Sequence, residues 1–362
     1  MEMSWKENWP EAERRWRAYW QGGIVDRPAM LVTAPREPPV VVEEPANPKD
    51  KWTSIEYQVR WSEAVNLSHH YLAEAVPQVP GPQAAWCAYY GGPLTYLPDT
   101  IWMDTFLEDW SRAPDWKRDW DDWGWRHLTE MMRALAAARR GRFFVGFPPT
   151  MHTAPNDMLA QMRGVNRFLV DLVEHPDEVT AALTAIRANF GRMYDDLWDL
   201  IHSYGYEGYG NWWPIWCPDR LGVFQSDISC MISADMFERF IVPELEDNCA
   251  LVEHACYHLD GPGAIRHVER VCDIPGIHTI QWVPGAGQAP GALQWMDLFR
   301  RVQAKGRSVL LGCQPGEVET LIRELDPRKV LIGTGVGSVE EGRRLLEDAV
   351  RWTATYWGAR IS

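Results

Sequence analysis

From about residue 140 onward, short runs of β-branched and aromatic residues alternate with long helical patterns. This alternation is the feature that most limits the fold. The runs are RFFVGF (142–147), EGYGNWW (207–213), GVFQSDIS (222–229), ACYHL (255–259), IHTIQWV (277–283), SVLLGC (308–313) and VLIGTGV (330–336). Strands separated by roughly 15 to 30 residues of helix require crossover connections, and crossovers build parallel sheets. With AMLVTA (29–34) added, the count reaches about eight strands, which predicts an α/β fold of the closed (β/α)8 TIM-barrel type. A further strand is expected somewhere in 84–89.

The helices between these runs carry their own signals. Val179, Leu183, Ile186, Phe190, Met193, Leu197 and Leu200 are spaced four and three apart, predicting one helix over 176–203, opened by Pro176 and stopped before Gly205. Another helix is expected to open near Asn156 or Asp157. Ser233 is placed to cap a helix running to about 252, with a bend at Pro243. Later helices are expected near 291–304, 316–325 and 338–357. The N-terminus reads as a charged amphipathic helix within 1–28, and 35–140 as an elaboration on a single barrel domain spanning 1–362. No linker or internal repeat divides the chain.

Net charge is −14 without a basic cluster, which argues against nucleic acid and anionic membranes as partners. No apolar run is long enough to span a bilayer. The seven cysteines are scattered and contain no C-x-x-C, so a cytoplasmic location is expected rather than a disulfide framework. The 21 tryptophans are the one abnormal number. Tryptophan is demanding core filler because its N–H needs a partner, so an aromatic-walled pocket is expected, with NWWPIW (211–216) and Trp282 contributing.

In a parallel barrel, chemistry collects at the C-terminal ends of the strands. The polar residues expected there are Asn211 and Trp212, Gln225 and Asp227, His258 and Asp260, Gln281 and Trp282, Cys313, and Thr334. His258 and Asp260 lie two apart on a strand and so share a face. Three readings of that pair stand open. It can ligate a divalent metal with Cys313 or Asp227 as third ligand, act as an acid/base pair, or be satisfied by backbone groups at a strand end. Asp227 has the placement of a substrate-binding or catalytic carboxylate, or of a turn residue. Asn211, Trp212, Trp213, Gln225, Gln281 and Trp282 are the expected substrate contacts. His254 and His267, on predicted helices, and His69 and His70, in a helical stretch, are assigned to packing or surface. The glycine-rich GTGVG (333–337) does not match a dinucleotide fingerprint.

Three segments resemble the uroporphyrinogen decarboxylase superfamily: PNDMLAQMRGVNRFLVDLVEHPDEV (155–179), SDISCMISADMFERFIVPEL (226–245) and YHLDG (257–261) followed by GIHTIQW. The resemblance implies a (β/α)8 barrel over about 140–357. It also points to the branch of zinc-dependent methyltransferases that serve corrinoid proteins. That branch carries an H-x-C-G segment and another cysteine at the last strand. His258 matches the histidine, whereas Asp260 stands at the first cysteine and Thr334 near the second. Cys313 lies one strand earlier. The arginine-rich opening of the decarboxylases is not reproduced in VDRPAMLVTAPREPP.

The resulting expectation is a methyltransferase-like barrel enzyme with a small substrate in a tryptophan-lined mouth. Its reactive or metal-binding pair is His258 with Asp260, zinc or another divalent ion is the expected metal, and a corrinoid protein is the expected partner. The alternatives are a metal-independent lyase or decarboxylase, a glycosidase-like barrel using Glu207, Asp227 or Asp260, and a non-catalytic binding barrel.

Overall fold

The computed structural model of the chain describes residues 6, 8–79, 90–139, 141–148, 155–210 and 215–361. Its thirteen strands are β1 (Ala29–Pro35), β2 (His69–Ala73), β3 (Gln78–Val79), β4 (Leu94–Tyr96), β5 (Ile101–Met103), β6 (Phe144–Val145), β7 (Tyr209–Gly210), β8 (Trp216–Cys217), β9 (Leu221–Gln225), β10 (His254–Asp260), β11 (Ile277–Val283), β12 (Ser308–Gly312) and β13 (Val330–Gly335). A seven-stranded sheet with order β2-β1-β13-β12-β11-β10-β9 forms the centre. Every neighbouring pair in it is parallel except β1 with β2.

The composition of these strands explains their place. Val309, Leu311, Val330, Leu331 and Ile332 are buried, as are Met30 and Val32. Both faces of this sheet are covered, so its strands read as apolar runs rather than as alternations. Each such side chain, fully withdrawn from water, contributes about 1.5–3 kcal/mol. Helices follow the strands as the alternation requires. The one after β13 covers Val339–Ile361, and the one after β11 covers Met296–Ala304.

A separate parallel pair is formed by β3 and β6. Gly146 N–H donates to Val79 O (2.7 Å) and Phe147 N–H to Gly210 O (3.2 Å), linking β3, β6 and β7. Among the described residues the strands do not join into one closed sheet. The expected strand at 84–89 and most of NWWPIW lie outside the described residues.

Three sequence expectations are corrected. The helix over 176–203 is two helices, Pro176–Arg187 and Phe190–Ser203. Between them the Asn189 side chain donates to the carbonyls of Ala185 and Ile186 and to Tyr90 Oη (3.1–3.2 Å), competing with the helical ladder. The helix capped by Ser233 stops at Phe240 and restarts at Val242 because Pro243 occupies the first turn of the new helix. His254 opens β10, and His69 and His70 begin β2, where both were expected on helices.

The N-terminal helix, Trp9–Trp20, closes over the N-terminal ends of the strands. Trp16 Nε1 donates to Glu74 O (2.9 Å), Trp20 Nε1 to Trp216 O (2.8 Å), and Tyr19 Oη shares a hydrogen bond with Thr279 Oγ1 (2.8 Å). Beneath it, Arg27 clamps Glu74 through two bonds of 2.7 and 2.9 Å, and Glu74 also accepts from Met30 N–H. Lys6 donates to Ala73 O (2.7 Å), and burial pulls its amine down to about 7.

Candidate functional site at the C-terminal strand ends

The register of the sheet puts one set of side chains on a common face. Gln225 lies beside His258, and His258 beside Gln281. Leu31 and Thr33 of β1, Leu310 and Gly312 of β12, and Gln281 of β11 border a cavity of about 400 Å3 with Cys313 at its edge. That volume suits a small ligand. The described lining is aliphatic, glycine and polar, without tryptophan. Trp282, one residue from Gln281 and therefore on the opposite face of β11, packs edge-on against Trp295 with ring centroids 4.9 Å apart. Asn211, Trp212 and Trp213 lie outside the described residues.

His258 and Gln281 form the centre. His258 Nδ1 is hydrogen-bonded to Gln281 Oε1, while Gln281 Nε2 donates to Trp282 O (3.2 Å). The second bond fixes which end of the amide meets the imidazole. Gln281 thus accepts, His258 carries its proton on Nδ1 when neutral, and Nε2 holds the ring's lone pair. Asp260 ends β10 in solvent, and Gly261 turns the chain away with a φ of 76°, a left-handed conformation that favours glycine.

Asp227 follows β9 and is held from below. Its backbone N–H donates to both carboxylate oxygens of Asp157 (2.9 Å each), Ile228 N–H adds a 3.2 Å bond, and Gln225 Nε2 reaches Asp227 Oδ1 at 3.2 Å. Burial pushes Asp157 up to about 8, with the Asp227 charge adding to the shift. The Asp227 carboxyl is also raised, first by desolvation from the protein crowding its inner side, although its outer side meets solvent. The nearby Asp260 charge raises it further, while His258 pulls it down. Asp227, His258 and Asp260 therefore act on one another electrostatically at adjacent strand ends.

A second layer supports this turn. Ser226 Oγ donates to Asn156 Oδ1 (2.9 Å), and Asn156 Nδ2 bridges to the buried Glu244 carboxyl, which burial raises well above the usual range. Asp157, Asn156 and Glu244 were not singled out from sequence as site residues. The available signal was a pair of polar residues directly after Pro155, entering a helix whose first turn is buried.

Cys313 sits apart from the pair it was expected to join. Its N–H donates to Gly333 O (2.9 Å), its carbonyl accepts from Thr334 Oγ1 (2.9 Å), and burial pushes its thiol up to about 12. Among the described residues, His258, Asp260 and Cys313 do not form a group with ligand spacing. Glu207 precedes β7, and its carbonyl accepts from Trp216 Nε1, which places it at the N-terminal end of that strand.

No family model and no curated protein matches the sequence. Among solved structures, the chain is similar to a methyltransferase from Methanosarcina mazei. The TM-score is 0.55 at 12% sequence identity, covering 94% of this chain and 98% of that one. At this identity the likeness concerns the fold: a mixed α/β architecture around a parallel central sheet. No helix among the described residues is long and apolar enough to cross a membrane.

Proposed function

We propose that this chain is a methyltransferase-like enzyme of the barrel type, acting on a small substrate at the C-terminal strand ends. The observation that carries the reading is the oriented His258–Gln281 pair, flanked by Asp227, with Gln281 bordering a cavity of ligand size. The shared fold with a methyltransferase supports it, as does the resemblance of YHLDG to the H-x-C-G segment. The links from β3 through β6 to β7 support barrel closure.

In this reading the acceptor's heteroatom presents its proton to His258 Nε2. Gln281 holds the ring in the tautomer that receives it, and Asp227 and Asp260 stabilise the resulting imidazolium. The acceptor's lone pair then forms the bond to the methyl carbon. The bond from that carbon to its donor breaks, and its electron pair stays with the donor. A corrinoid protein is the proposed methyl carrier, supported by the family resemblance alone.

A divalent ion held by His258 and Asp260 is the second reading, favoured by their shared face at the end of β10. It would supply a Lewis acid for the acceptor. The donor set of imidazole and carboxylate is harder than the thiolate set that the resemblance associates with zinc, and Cys313 does not complete it.

Methylcobalamin offered with small thiol, amine and alcohol acceptors tests the first reading. Loss of the cobalt–carbon absorption that requires both protein and acceptor supports it. No methyl transfer with any acceptor, alongside release of carbon dioxide from small carboxylic acids, replaces it with the lyase reading. Zinc titration of chelator-treated protein tests the second, which fails if full activity persists in chelator.

A further inference from the structure

At the opposite end of β10, a second cluster has the composition of a metal centre. Cys217 closes β8, Asp219 lies in the turn to β9, and His254 is the first residue of β10. One potential ligand atom from each lies within 4.8 Å of the others. His254 Nε2 and Asp219 Oδ2 are 3.6 Å apart, close to the edge of a tetrahedron built with zinc–ligand bonds of about 2.0–2.3 Å. Asp219, whose side chain is 52% exposed, has room to adjust toward the other two. We propose that Cys217, Asp219 and His254 bind a zinc-class transition-metal ion that staples the β8–β9 turn to the start of β10, with water in the fourth position.

The surroundings hold these side chains in place independently of any ion. Cys217 pairs across the β7–β8 ladder with Tyr209; burial pushes its thiol well above the ordinary range, and the Asp219 N–H, which donates to the sulfur, opposes that shift. The turn is anchored to β10 because Glu253 and His254 N–H both donate to Arg220 O (3.2 and 3.1 Å). Arg220 N–H returns a bond to Glu253 Oε2 (3.1 Å). The His254 ring lies against Trp20 and edge-on to His278, with centroids 5.1 and 5.5 Å away. The carboxylates of Asp219 and Glu253 make the potential at the sulfur negative, opposed by Arg17. A sulfur, an imidazole and one carboxylate select zinc-like ions over magnesium or calcium. The thiol releases its proton to solvent as the sulfur–metal bond forms. The N-terminal face of such a sheet serves stability rather than turnover, so the ion is structural, and the inference is independent of the function proposed above.

Cobalt(II) added to the full chain is the direct probe. The expected result is one ion per chain with a sulfur-to-cobalt charge-transfer band and the visible bands of a tetrahedral site. Cys217→Ser abolishes the charge-transfer band, whereas Cys313→Ser and His258→Ala leave it intact. Asp219→Asn, an exposed change that leaves the fold undisturbed, weakens binding by about tenfold or more. Zinc raises the unfolding temperature of the wild-type chain but not of Cys217→Ser. The proposal is overturned if no such band forms, if the band survives Cys217→Ser, or if Asp219→Asn binds with unchanged affinity.

Discussion

The two ends of β10 carry the same residue type and treat it in opposite ways. His254, at the N-terminal end, is enclosed by Trp20, His278 and the β8–β9 turn. His258, four residues on, is hydrogen-bonded to the Gln281 amide, which borders a cavity, and interacts with the Asp227 carboxylate. The N-terminal helix covers one end with three tryptophans and a tyrosine, and the other end is left to polar groups. Aromatic packing therefore concentrates at one end of the sheet and interacting polar groups at the other.

That contrast predicts which variants unfold the protein and which silence it. The largest effect is expected from Trp16→Ala, which empties a fully buried site and orphans the Glu74 carbonyl, at about 3–5 kcal/mol. Chemical denaturation should show this loss, while turnover per folded molecule stays unchanged. A fall in turnover at constant folded fraction breaks the separation between the ends.

The pH dependence of stability is expected to divide along the same line. Burial, His254 and Arg307 push the His278 imidazole down to about 3. The unfolded chain takes up that proton near 6.5 and the folded chain does not, so stability falls as pH drops from about 6.5 toward 3. Asp157 behaves in reverse. The unfolded chain loses its proton near 4 and the folded chain only near 8, so stability declines as pH rises across that window. His278→Asn should flatten the acid side of the profile and Asp157→Asn the alkaline side, by a few kcal/mol at most. Unfolding midpoints across pH check both, and a variant that flattens the wrong side contradicts the assignment.

The smallest effect is expected at Trp282. Its Nε1 has no described partner, and the ring faces Trp295. Trp282→Phe should therefore lower stability by about 1–2 kcal/mol and leave ligand affinity unchanged. Weaker binding would place the indole on the cavity side after all.

Much of this contrast was legible in the sequence. The strands AMLVTA, IHTIQWV and SVLLG are short apolar-rich runs, and period-two parity places His258 and Asp260 on one face, whereas the inter-strand register sets Gln225 and Gln281 beside His258. The tryptophan excess has a packing role at Trp16 and Trp20, whose indole N–H groups are satisfied by nearby carbonyls, while Trp212 and Trp213 lie outside the described residues. His254 was misplaced because EHACYHL continues an apolar pattern without a turn signal. Asp157 was missed because its partners are backbone N–H groups about seventy residues away, and a long-range contact of that kind leaves no local spacing to read.

The central claim is that His258 does chemistry and contributes little to folding. The most direct measurement is the methyl-transfer rate and the unfolding midpoint of His258→Gln in the same preparation. The account predicts a rate lowered by about 10²–10⁴-fold, the contribution of a positioned acid or base, with the midpoint unchanged. An unchanged rate, or a rate that falls only as far as the folded fraction does, contradicts it.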